Sequence, residues 1–276
     1  NNFIERSLAG TFSFLRDSVF SDEYAAKNGF LQARDSRLKA LGIFLLLLTV
    51  LFSRNIYFLI AIYALCLFLA AISSIHIGFF LKRTWIFIPL FSLFIALPAL
   101  FEIFTPGEAL VKFRLFNMLL VVTRQGVFSA GFFFIRVLTS TSLCVLLVLS
   151  TRQNNLLKAL RSFRVPQVFV MTLGMCYRYI YLFMQVAQDT YLAIKSRVGF
   201  VSSAKRGQGI VAWNIAGLWQ RSYQAQAQVY SAMLSRGYTG EPKIMDEVSS
   251  GLKDWIWLGI TIIIFGLSLW QNRYLS

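Results

Sequence analysis

Two arginines 39 positions apart close nearly the same sequence: Tyr191-x-Ala193-Ile194-x-Ser196-Arg197 and Tyr230-x-Ala232-Met233-x-Ser235-Arg236, the second followed by Gly237. A guanidinium is a planar, permanently charged fork of N–H donors, suited to gripping a carboxylate on a partner through two parallel hydrogen bonds. On a helix, Tyr191, Ile194 and Arg197 fall three apart along one face, as do Tyr230, Met233 and Arg236. Each segment is therefore expected to present an aromatic and aliphatic ridge tipped by charge. A lone arginine in a last turn commonly does no more than satisfy free carbonyls and the helix dipole, worth about 0.3–1 kcal/mol. Recurrence of the tyrosine, alanine, serine and arginine at identical spacing reverses that preference and points to two similar docking events.

Other chemistry is poorly provided for. His76 is the only histidine and reads as a polar anchor near a helix end. Cys66, Cys144 and Cys176 sit in apolar surroundings without CxxC spacing, which suggests neither a zinc site nor a disulfide framework. All 12 acidic residues lie outside the apolar cores, Glu102 coming nearest, whereas a proton- or sodium-coupled transporter usually places an acid at midplane. There is no paired Asp-x-x-x-Asp motif and no G-x-x-x-x-G-K-[ST] loop. Lys205-Arg206-Gly207-Gln208-Gly209 is no substitute, since no strand precedes it and the lysine is misplaced. No catalytic residue, metal site or resident cofactor is expected in this chain. Arg136, inside an apolar run, is expected to face the bundle or a partner rather than lipid.

The elements that carry the two tips follow from composition. The chain is 57% hydrophobic and 16% aromatic with a mean hydropathy of +0.62, which marks an integral membrane protein. Its net charge of +15 is spread beside apolar segments rather than gathered in a basic domain, so nucleic acid is not an expected partner. Apolar runs at Leu41–Phe52, Ile56–Ile75, Trp85–Phe104, Gly126–Ser150 and Trp255–Trp270 suggest five spans. Residues 1–37 are polar and amphipathic, without the short apolar core and cleavage site of a signal peptide. With the N-terminus inside, Lys39, Lys82, Arg83, Arg152, Lys158, Arg161 and Lys253 fall on one side. Lys112, Arg114 and Arg124 fall on the other, for which an interfacial helix across 109–125 is the expected explanation.

Residues 151–250 hold 12 basic against 4 acidic residues and only short apolar stretches, so repeated crossing is not expected there. A short helix at Asn154–Phe163 should end before Val165-Pro166, with Pro166 opening the next helix. That helix would run to Arg197. After a break at Val198–Gly209, a comparable one would run to Arg236, with Gly237 as its C-cap.

Taken in order, several stretches resemble the transmembrane T component of energy-coupling factor (ECF) transporters, in the CbiQ-like cobalt/nickel branch. They are Phe3-Ile4-Glu5-Arg6, Leu31 to Lys39 (LQARDSRLK), Leu160 to Pro166 (LRSFRVP), Tyr177-Arg178-Tyr179 and Ser235-Arg236-Gly237-Tyr238. The family's two short Ala-Arg-Gly motifs map onto Ser196-Arg197-Val198 and Ser235-Arg236-Gly237, the first departing from the pattern at Val198. The resemblance implies an all-α integral membrane protein with about five transmembrane helices plus a cytoplasmic region of one short and two long coupling helices. The divisions would be 1–37 (cytoplasmic), 38–150 (four spans), 151–250 (coupling helices) and 251–276 (last span). It also implies a multi-pass protein of a bacterial or archaeal plasma membrane.

The partners so implied are two ABC-type ATPase subunits and a separate substrate-binding membrane subunit. Ser196, Arg197, Ser235, Arg236 and Gly237 would dock the ATPases. Tyr191, Ala193, Ile194, Tyr230, Ala232, Met233 and Pro166 would support the coupling helices, and Val168–Phe183 and Val211–Tyr230 would meet the substrate-binding subunit. ATP and the transported metal would be bound by those partners. A vitamin-type ECF cargo is the alternative. A membrane enzyme with a cytoplasmic site lacks paired carboxylates, histidines or an activated nucleophile there. A channel would need a polar stripe, of which only Thr139 to Ser142 offer a trace.

Overall fold

The computed structural model describes residues 25, 29–85, 88–98, 109–115, 118–198, 204–240 and 251–275. Its elements are α1 (Ser36–Phe52), α2 (Ile56–Ile72), α3 (Ile77–Trp85), α4 (Ile88–Ala96), β1 (Ala109–Leu115), β2 (Met118–Thr123), α5 (Arg124–Ser150), α6 (Gln153–Ser162), α7 (Gln167–Val198), α8 (Ala204–Ser235) and α9 (Leu252–Leu275). Among the described residues the fold is helical apart from one pair of short strands. These residues fall into two compact units, one with residues 25–156 and 251–275 and the other with residues 157–240.

In the first of these, the apolar residues fall into seams. Ile43, Leu46 and Val50 on α1, Leu59, Ile62, Cys66 and Leu69 on α2, and Leu143, Leu146 and Leu149 on α5 are all buried in one core. Spacings of three and four keep each set on one side of its helix, the pattern of helices packed at shallow angles. Three of these helix starts are capped by a side chain: Asp35 accepts from the Arg37 amide, Asn55 from Tyr57, and Thr123 from Gly126. α2 ends in a Schellman turn, with Ser74 at φ +55° and the Ile75 amide donating to the Ala70 carbonyl.

Segments Ile77–Ala96, Arg124–Ser150 and Leu252–Arg273 are long and apolar enough to cross a membrane, and Ile56–Ile72 is a shorter apolar helix. Contacts at the two ends fix the directions. Gln32 Nε2 donates to the Ser73 carbonyl at 2.8 Å, and Lys39 Nζ to the Ser150 carbonyl at 2.8 Å. Arg34 pairs with Asp254 at 3.6 Å. The start of α1, the end of α2, the end of α5 and the start of α9 therefore share one end. At the other, Asn272 receives the Arg54 amide at 3.2 Å and its own Nδ2 donates to the Phe52 carbonyl. α1 and α9 run parallel, and α5 runs against both.

Three expectations change. Helix α8 begins at Ala204, inside the break expected at Val198–Gly209. The apolar segment long enough to cross begins at Ile77 rather than Trp85, so Lys82 and Arg83 lie within it and are exposed, while residues 99–104 of the expected span lie outside the described residues. Ala109–Leu115 and Met118–Thr123 are paired antiparallel strands, Lys112 opposite Val121 and Arg114 opposite Leu119, instead of an interfacial helix. Alternation of β-branched and aromatic residues over this stretch favours paired strands. Arg124 then opens α5.

Helices α1 and α9 touch through Gly42. A Cβ placed there would stand 2.5 Å from Trp257 Nε1 and 3.3 Å from Thr261 Cγ2. Gly42→Ala should cost about 1–3 kcal/mol by overpacking, visible as a lower melting temperature of the detergent-purified chain. An unchanged melting curve would mean that the helices do not close on this glycine.

Candidate docking site

The two tips are built on α7 and α8, each 32 residues and so about 48 Å long at ~1.5 Å per residue. α6 ends with Arg164 at φ +62°, a left-handed turn that redirects the chain into Val165-Pro166. Pro166 is exposed, and its carbonyl accepts from the Phe169 and Val170 amides, so it stands immediately before the first helical residue. Along α7, four-residue spacing builds two aromatic pairs. Tyr181 and Tyr177 meet edge-on at 5.0 Å with their hydroxyls 2.9 Å apart, and Tyr179 stacks with Phe183.

The motif serines have a local task. Ser196 Oγ donates to the Ala193 carbonyl at 2.9 Å and Ser235 Oγ to Ser231 at 2.8 Å, which spends each hydroxyl proton on the last turns of its own helix. Ser196, Arg197, Ser235, Arg236 and Gly237 are all exposed, as are Ala193 and Ala232, while Ile194 and Met233 are half-buried. Tyr230 is 58% exposed. Tyr191 is helical, but its side chain lies outside the described ones. Phe3-Ile4-Glu5-Arg6 also lies outside the described residues.

The two arginines are not held alike. Arg197 is inside α7, which continues through Val198. Arg236 follows the last residue of α8, and the chain turns at once: Gly237 has φ +79°, its amide donates to the Leu234 carbonyl, and the Tyr238 amide to Met233. This is a Schellman cap, as the glycine suggests; the residues that follow Val198 at the end of α7 lie outside the described ones. Tyr238 extends the cap, its hydroxyl donating to the Gly240 carbonyl at 2.9 Å and lying 3.2 Å from Met171 Sδ.

That last contact sets the spacing of the tips. It puts the end of α8 beside Met171, near the start of α7, whereas Arg197 is at the end of α7. The 26 residues between Met171 and Arg197 correspond to about 39 Å of helix at ~1.5 Å each. The repeat is thus divided between opposite ends of α7. Among the described residues the one ion pair is that of Arg34 with Asp254, so neither tip has a carboxylate there.

A family model described as cobalt transport protein, CbiQ, matches residues 27–246. This chain belongs to the CbiQ family. An uncharacterized protein of Methanocaldococcus jannaschii is 33% identical over 278 aligned positions, covering 99% of this chain and 93% of that relative. CbiQ proteins are transporter components rather than enzymes, and the chain is a membrane protein of that transport type. Among the described residues no three His, Cys, Asp or Glu side chains are grouped as metal ligands.

Sequence reading missed the burial of Lys39, on which Asp254 acts electrostatically. Arg136, expected to face the bundle or a partner, donates from Nη2 to the Ser53 carbonyl at 2.8 Å while its guanidinium lies 4.6 Å from the Phe132 ring. The available signal for Lys39 was a charge one turn inside an apolar helix.

Because φ is positive at Gly237, Gly237→Ala should destabilise the α8 terminus by about 1–2 kcal/mol. Limited proteolysis should then cut faster after Arg236 with membrane insertion unchanged; an unaltered rate would remove the cap from the account.

Proposed function

We propose that this chain is the transmembrane coupling subunit of an ECF-type ABC importer for cobalt or nickel ions. In this reading Arg197 and Arg236 each enter a groove on one of two ABC-type ATPase subunits. The long helices carry the ATP-driven motion of those subunits to a separate substrate-binding membrane protein, which holds the metal. The observation that carries the reading is the separation of two exposed guanidinium tips, neither paired with a carboxylate among the described residues, by about 39 Å of helix at ~1.5 Å per residue. One groove cannot serve both, and two copies of an ATPase, or two different ones, can.

Apolar side chains support the rest. Val168, Phe169, Leu173 and Ile180 on α7 and Trp213, Ile215 and Trp219 on α8 are exposed, Trp219 by 79%. Such surface along two helices suits a membrane-embedded partner. Family membership supports the cargo class. The site of action would be the plasma membrane of a bacterium or archaeon.

Arg197→Glu and Arg236→Glu should each lower ATPase affinity at least about 30-fold, because losing one side of a hydrogen-bonded charge pair costs about 2–5 kcal/mol. Metal uptake by cells expressing either variant should fall to background. Co-purification from mild detergent reads the first effect and accumulation of radioactive cobalt the second; normal uptake in both variants would remove the docking role.

A further inference from the structure

The chain passes from the membrane unit into the next unit between Leu156 and Leu157. Six residues before that passage α5 ends at Ser150, at a buried cluster of charge. Lys39 is 1% exposed, and its ammonium donates to the carbonyl of Leu31 at 2.9 Å and to that of Ser150, the last residue of α5, at 2.8 Å. The carboxylates of Asp254 and Asp35 act on it electrostatically. Asp254 is 8% exposed, caps α9 by accepting from the Gly251 amide at 3.0 Å, and pairs with Arg34. One ammonium thus ties the end of α5, six residues before the outward passage, to the loop before α1, with Asp254 in the first turn of α9 acting on it electrostatically.

We infer that Lys39 is a positioning residue for energy coupling, the anchor that holds the end of α5 against α1 and α9 so that motion of residues 157–240 reaches the spans. The inference rests on the coupling role proposed above. The last carbonyls of a helix have no partner within it, so without the ammonium the final turn of α5 is free to fray. Displacement of α6 and α7 would then unwind that turn instead of moving the bundle. A core that merely needed filling would place a methyl or methylene here, since a buried charge is costly to desolvate.

Two measurements decide it. In the detergent-purified full chain, Lys39→Met should speed amide exchange about tenfold or more in peptides covering 147–156, as loss of a charge-assisted hydrogen bond requires, and not in those covering 56–72. Unchanged exchange overturns the anchor whatever becomes of the coupling role. In vesicles carrying the complete transporter, Lys39→Met should leave ATP hydrolysis unchanged and lower cobalt imported per ATP hydrolysed. Equal losses in both rates, or an unchanged ratio, overturn the inference. If Lys39→Met does not accumulate, Lys39→Arg takes its place under the same criteria, since its planar fork keeps the charge but not the ammonium's geometry. Absence of ATPases from the purified complex would count against the coupling role, and the exchange result would still judge the anchor.

Discussion

The membrane unit depends on an ammonium group taken out of water. Removing a charge from solvent costs several kcal/mol, and Lys39 bears that cost with two carbonyl acceptors and two nearby carboxylates. Both carbonyls come from backbone without a helical partner, one in the loop before α1 and one at the end of α5. The same loop reaches α2, where the Leu31 amide faces Ser73 Oγ at 3.4 Å and Gln32 grips the Ser73 carbonyl. Four helix ends are thereby gathered by a segment of nine residues, which accounts for why the stretch from Leu31 to Lys39 is so rich in polar side chains next to an apolar run.

The opposite end has its own polar closure, and the distance between the two sets the thickness of the bundle. From Lys39 to Ser53 on α1, and from Ser150 back to Arg136 on α5, is 14 residues each, about 21 Å at ~1.5 Å per residue. That is less than a hydrocarbon core of about 30 Å, so the bilayer around α1 and α2 must thin or be replaced by protein. Arg136 is explained by the same geometry. It lies midway along α5, yet at the level where α1 ends, and it satisfies a carbonyl in the C-terminal cap of that helix.

The long helices are stabilised differently. α7 and α8 hold themselves by i to i+4 aromatic pairs, serine and threonine bonds to the preceding turn, and a glycine cap, while much of their apolar surface remains uncovered. A helix whose large side chains are exposed gains little from its own fold and much from a partner. The arginine tips, without carboxylates among the described residues, extend the same incompleteness to charge.

Much of this was legible in the sequence, and the reasons differ by residue. Helix ends at Phe52, Ser150 and Ser235 were readable because apolar runs, polar breaks and Gly237 act locally on the backbone. The third span was misplaced because Lys82 and Arg83 resemble a loop, although exposed cations on a helix can extend to the membrane surface. Ala109–Leu115 and Met118–Thr123 are strands because their pairing outweighed helical periodicity, a decision made by contacts between segments. The tyrosine and arginine repeat was visible as spacing alone, but its division between opposite ends of α7 required the contact of Tyr238 with Met171. What the sequence by itself determined is therefore most of the helices, the Gly237 cap and the chemistry of the tips, since these depend on neighbours within a few residues. Only the tertiary structure decided that Lys39 is buried, that it meets residues 111 positions away at Ser150, and that Arg136 caps another helix, because a charge in an apolar helix is tolerable only where distant backbone supplies its partners.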